Sequence, residues 1–160
     1  MANELKQAWG ASETTVLSIT ADVTDGSLDA GTQTQLDNSS ELYPYAKATI
    51  YLPNGVTGGA WNGTPTVDLY MEEQDIGGGT DDETPVLPSG GTDTVGLKQV
   101  GSFVLDDNAT ASTAQRRTCV FSLLGVNKAE FRIVNNTGRT LDYVATAITV
   151  KVRPFSVAPT

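Results

Sequence analysis

Seven stretches of this chain alternate apolar and polar residues with a period of two, and clusters of Gly, Pro, Asp and Asn separate them. That period belongs to a pleated strand, whose successive side chains point to opposite faces. In residues 15–24, Leu17, Ile19, Ala21 and Val23 share one face, with Val16, Ser18, Thr20 and Asp22 opposite. Residues 42–52 set Ala46, Ala48, Ile50 and Leu52 against Tyr45, Lys47, Thr49 and Tyr51. Pro44 places the start of that strand at a sheet edge. Residues 66–72, 98–105, 117–124 and 128–134 alternate in the same way. Residues 141–152 read as one long strand that Pro154 ends, and the preceding Asn135-Asn136-Thr137-Gly138 reads as a tight hairpin turn. Residues 32–36 read as a short extra strand within a polar loop. A helical period of 3.6 is confined to residues 3–9 (NELKQAW), where Leu5 and Trp9 sit four apart and suit one or two helical turns. The expected architecture is all-β: an antiparallel β-sandwich, jelly-roll-like, with long loops. Residues 1–13 form an N-terminal arm and residues 14–160 a single β-sandwich domain.

The composition agrees with strands and excludes much chemistry. Thr is the commonest residue, with 22 copies, and its β-branched side chain suits a half-exposed pleated surface. The 160 residues contain no His and one Cys. This rules out Ser-His and Cys-His catalysis, His-bound metals and an internal disulfide. No uninterrupted apolar run approaches the roughly 20 residues that span a bilayer. The opening MANELKQAWG lacks the apolar stretch of a secretory signal.

The net charge of -9 is unevenly placed. Residues 48–97 contribute -8, whereas residues 116–160 carry +5. The acidic balance speaks against nucleic-acid binding. The basic closing strands could meet an acidic surface of a neighbouring subunit or neutralise the chain's own acidic loops. The cluster Glu72, Glu73, Asp75, Asp81, Asp82 and Glu83 has oxygen ligands of the kind calcium takes, but not the spacing of a calcium loop. It reads first as a solvated loop. Asp68 and Tyr70, facing away from Val67 and Leu69, place a carboxylate on an open sheet face without marking a catalytic pair. Tyr43, Tyr45, Tyr51, Tyr70 and Trp61 could build a sugar-stacking platform, although strand Tyr residues usually pack across strands. Trp61, flanked by Gly and Asn in GGAWNGTP, is expected to be exposed and to touch a partner. Asn38, Asn62, Asn108 and Asn135 match the glycosylation pattern by chance in a chain this rich in Asn and Thr. Cys119 shares a face with Phe121 and Leu123 and reads as a buried small hydrophobe.

Residues 128–154, KAEFRIVNNTGRTLDYVATAITVKVRP, resemble the closing strands of small β-rich structural proteins of tailed bacteriophages, and MANELKQAWG resembles their opening. The resemblance implies a non-enzymatic virion component: a capsid decoration (cement) protein, or a collar, tail or fibre domain. It implies attachment to the major capsid protein or other virion proteins, assembly as a homo-oligomer (a trimer), and a place on the capsid surface after synthesis in the host cytoplasm. Leu5 and Trp9 would be the apolar anchors of a docking arm. No cofactor, metal, nucleic acid or membrane enters this reading. The other reading is a carbohydrate- or receptor-binding β-sandwich of a tail fibre or bacterial surface protein, with Trp61 at its contact.

Overall fold

The computed structural model describes residues 5–10, 12–29, 31–74, 97–109 and 112–159. They form an antiparallel β-sandwich, with no helix among them. One sheet contains β10 (Gln115–Ser122), β6 (Tyr45–Leu52), β13 (Ile148–Pro159), β2 (Thr14–Ile19) and β4 (Thr32–Gln33), in that order. A sixth strand, β1 (Leu5–Trp9), pairs with β13. The other sheet runs β3 (Leu28–Asp29), β11 (Lys128–Asn136), β8 (Thr66–Gln74) and β9 (Lys98–Val104), with β5 (Leu36–Asp37) also on β11. A small pair joins β7 (Val56–Thr57) to β12 (Thr140–Leu141).

The core lies between the two large sheets, where the alternation places it. Ala46, Ala48, Ile50 and Leu52 of β6 are fully buried, as are Val67 and Leu69 of β8 and Ala129, Phe131 and Ile133 of β11. Phe121 from one sheet meets Phe131 from the other edge-on, with centroids 5.8 Å apart. The sheets also meet along an edge formed by β9 and β10. There Arg117 Nε donates to the Val104 carbonyl at 2.9 Å, and Cys119 Sγ rests over Gly101. Cys119 is half-buried, and that burial raises its thiol pKa to about 11.

Several strands depart from the sequence expectation, each for a local reason. Val16 is buried beside Leu17 although the alternation puts them on opposite faces. The pairing of β2 with β13 slips by one residue there, and a bulge turns two successive side chains to one side. Residues 3–9 do not give a helix: the segment from Leu5 is extended and pairs with the end of β13. Tertiary pairing outweighs the weak propensity of one or two isolated helical turns. Pro44 does not mark an edge, because β6 lies between β10 and β13. It precedes the first paired residue, and its carbonyl accepts from Leu123 N at 2.8 Å. Residues 141–152 are not one strand; β12 and β13 are separated by a loop in which Ala145 has φ 64°.

Nor does Pro154 end the last strand. Its carbonyl faces Gly10 N at 2.8 Å, just past the last residue of β1. Its missing N–H falls on that same side, where the ladder with β1 has already stopped. The turn after β11 is not a two-residue hairpin, because β12 pairs with β7 and not with β11. The buried Asn135 builds a corner instead. Its amide donates to the carbonyls of Val23 and Arg139, and its oxygen accepts from Thr137.

Candidate functional site

The two large sheets divide the charge between them. The strands of the six-stranded sheet carry Lys6, Lys47, Arg116, Arg117, Lys151 and Arg153 and no acid. Those of the other sheet carry six acids (Asp29, Asp37, Asp68, Glu72, Glu73 and Glu130) against three bases. On so acidic a chain, a strand layer free of carboxylates is a local property and not a reflection of composition.

Register fixes which residues share the outer face of the six-stranded sheet. Its cross-strand rows read Arg116–Tyr51–Thr149, Thr118–Thr49–Lys151, Val120–Lys47–Arg153 and Ser122–Tyr45–Phe155, with Trp9 extending the last row from β1. Lys47 and Arg153 stand directly opposite each other, a like-charge pairing that destabilises a sheet. Among the described residues no carboxylate pairs with Lys47, Arg116, Lys151 or Arg153. Arg153 instead donates from Nε to the Gly10 carbonyl at 3.1 Å and lies 5.3 Å from the Trp9 ring centroid.

The aromatic end of this face is a projecting ribbon. Trp9 packs on Phe155 at 4.9 Å, and Tyr45 stacks on its other side at 5.6 Å. Phe155 is thereby buried on an outer face, while Trp9 remains 37% exposed. Pairing between β6 and β13 stops at Tyr45, so residues 156–159 continue beyond the sandwich with β1 alone beside them. At the opposite end, about 20 Å away along β6, lies an open groove of about 440 Å³. It is lined by Thr49, Tyr51, Arg116, Thr146, Ala147, Thr149 and Lys151.

The residues singled out in the sequence distribute unequally over this geometry. Leu5 and Trp9 fall on the ribbon, opposite Pro159 and Phe155, and the side chain of Leu5 lies outside the described residues. Trp61 is less exposed than expected: it is half-buried, packs against the core, and has the Arg139 guanidinium 4.5 Å above its ring. Its loop is held close to the next turn, since Asn62 N donates to the Thr137 carbonyl and a side chain at Gly59 or Gly138 would collide with backbone oxygen. The Tyr residues do not converge. Tyr45 and Tyr51 occupy opposite ends of one face, and Tyr70 lies on the other sheet.

Of the acidic cluster, Glu72 is buried in an ion pair with Arg132 at 3.2 Å and Glu73 sits 3.8 Å from Lys98. Asp75, Asp81, Asp82 and Glu83 lie outside the described residues. Among the described residues, no group of three or more His, Cys, Asp or Glu side chains is placed to hold a metal ion. Asp68 accepts from Asn136 at 2.8 Å. Asn38 and Asn135 are buried and their amides bonded, so neither offers a glycosylation site in the folded chain.

Lys47, Thr49, Tyr51, Thr149, Lys151 and Arg153 were not singled out as a group in the sequence. The alternation already assigns most of them to polar faces; the missing information is that β6 and β13, far apart in the chain, are neighbours. No family model matches the chain, and no curated protein matches it either.

Proposed function

We propose that this chain is a non-enzymatic structural protein that attaches to an assembled particle through the ribbon of β1 and the end of β13. The particle implied by the closing-strand resemblance is a tailed-phage capsid, decorated by copies of this protein. The carrying observation is the exposed Trp9 ring on a two-stranded ribbon that extends past the sandwich. Such a ribbon suits docking in two ways. Exposed aromatic rings with a buried backing are favoured anchors at interfaces. In addition, the outer edge of β1, and the edge of residues 156–159 away from β1, have no strand partner among the described residues, which suits strand addition by a partner. Binding the assembled shell in preference to its dissociated subunits would stabilise the shell by mass action.

The test is co-sedimentation with purified capsids, comparing the full chain, a chain lacking residues 1–12, and the point variant Trp9→Ala. The expected outcome is that the full chain pellets with capsids and both variants are depleted from the pellet. Failure of the full chain to pellet, or equal pelleting by all three, overturns the reading. Sedimentation equilibrium of the free protein, expected to show a trimer, tests the oligomeric part separately.

A further inference from the structure

We infer that the groove at the other end of the six-stranded sheet binds an acidic saccharide, with Arg116 and Lys151 receiving its carboxylate. Four observations converge there. First, the groove has two cationic side chains and no carboxylate among its lining residues, on a protein whose net charge is -9. The protein's overall field therefore does not draw anions in, and local contacts must. Second, the cations approach from different strands. Arg116 stands in register with Tyr51 and Thr149, and Lys151 with Thr49 one row away. An Arg fork can grip a carboxylate through two hydrogen bonds while Lys adds a point charge. Third, the rest of the polar lining is hydroxyl groups: Thr146 and Thr149 offer donors and acceptors that match the hydroxyls of a sugar, above a buried Thr49. Fourth, Tyr51 is 42% exposed and presents ring surface at the groove, a surface suited to the apolar side of a pyranose. A volume of about 440 Å³ lies within the roughly 300–1,000 Å³ of small-ligand sites.

This site is separate from the ribbon, so either can fail alone. Heteronuclear NMR titration of the full-length protein reads it directly. The probes are a trisaccharide of galacturonic acid, the matching galactose trisaccharide, and inorganic phosphate. The expected result is that the acidic trisaccharide shifts amides of residues 49–51, 116 and 146–151, with the neutral one at least about tenfold weaker. Arg116→Ala and Lys151→Ala should each weaken binding about tenfold or more while leaving the melting temperature unchanged. Equal affinity for phosphate and the acidic sugar would make this a simple anion site and overturn the saccharide assignment. Equal affinity for the neutral sugar, shifts that map elsewhere, or no shifts at about 10 mM probe would overturn it too.

Discussion

Replacing Gly101 by Ala tests the packing of the edge where the two sheets meet. Gly101 lies in β9 beside a one-residue slip in its pairing with β8. It has no positive φ, so Ala can adopt its backbone conformation. On backbone grounds alone the change should stabilise the protein by about 0.5–1 kcal/mol, because Ala has less freedom to lose on folding. The space argues the other way. A methyl group on Gly101 would lie 2.7 Å from Cys119 Sγ and 3.3 Å from its Cβ. An ordinary non-bonded contact is roughly 3.5–4.0 Å, so the sulfur must retreat by about 1 Å from its packed position. Overpacking of this kind costs about 1–3 kcal/mol, and its middle value of about 2 kcal/mol leaves a net loss of about 1–1.5 kcal/mol. That corresponds to a melting temperature lower by about 2–6 °C for a chain of this size. Cys119→Ala alone should cost about 1 kcal/mol in lost burial. The double variant should recover most of the loss, since the new methyl occupies part of the space the sulfur leaves. A double-mutant cycle followed by urea unfolding should therefore show a favourable coupling of about 1–2 kcal/mol. If Gly101→Ala is as stable as the parent, or the two changes simply add, the steric account of this edge is wrong.

Arg132→Ala should be among the most damaging single changes. It leaves Glu72 buried without its cation, at a cost of about 3–5 kcal/mol measurable by urea unfolding, while Glu72→Gln combined with Arg132→Met should cost far less. Burial raises the pKa of Asp29, against a smaller opposing effect of its hydrogen bond from Gly31 N. The folded state therefore disfavours the charged form, and the penalty sets in as pH rises through the ordinary carboxylate range and is complete above the raised folded value. Asp29→Asn should raise the melting temperature at pH 7 and have little effect at pH 2.5; an equal effect at both would contradict the assignment. Leu42 is 60% exposed with φ 50°, so Leu42→Gly should stabilise the chain by about 1 kcal/mol in the same unfolding assay.

The strands were legible where a period of two meets one buried face. The pattern identified the inward residues of β6, β8 and β11 because the alternation runs unbroken along each of them, and the slip beside β8 puts its extra residue in β9. It failed at Val16, where a bulge shifts the phase, and no local residue marks the slip. It failed at Pro154 because the absence of a donor matters only if a neighbouring strand needs one, and that depends on where β1 stops. Trp61 illustrates a different limit. Gly and Asn neighbours suggest exposure, but here they allow a close approach between two turns, and the approach covers the ring. The candidate binding face was half legible. The polar sides of β6 and β13 could be listed from the alternation, yet only their adjacency turns scattered Lys and Arg residues into one surface.

Leu5 lies opposite Pro159, and from there the two segments run antiparallel to Trp9 and Phe155. Force applied between these two ends would not shear the ribbon. It would open the ladder from its Leu5–Pro159 end, one pair after another, as a zipper opens, so only a small part of the ladder resists at any moment. The sandwich beyond would feel little of that load until the separation reached Gly10, whose N–H holds the Pro154 carbonyl. Under such a load the ribbon would lengthen by the span of its paired residues while the core stays folded.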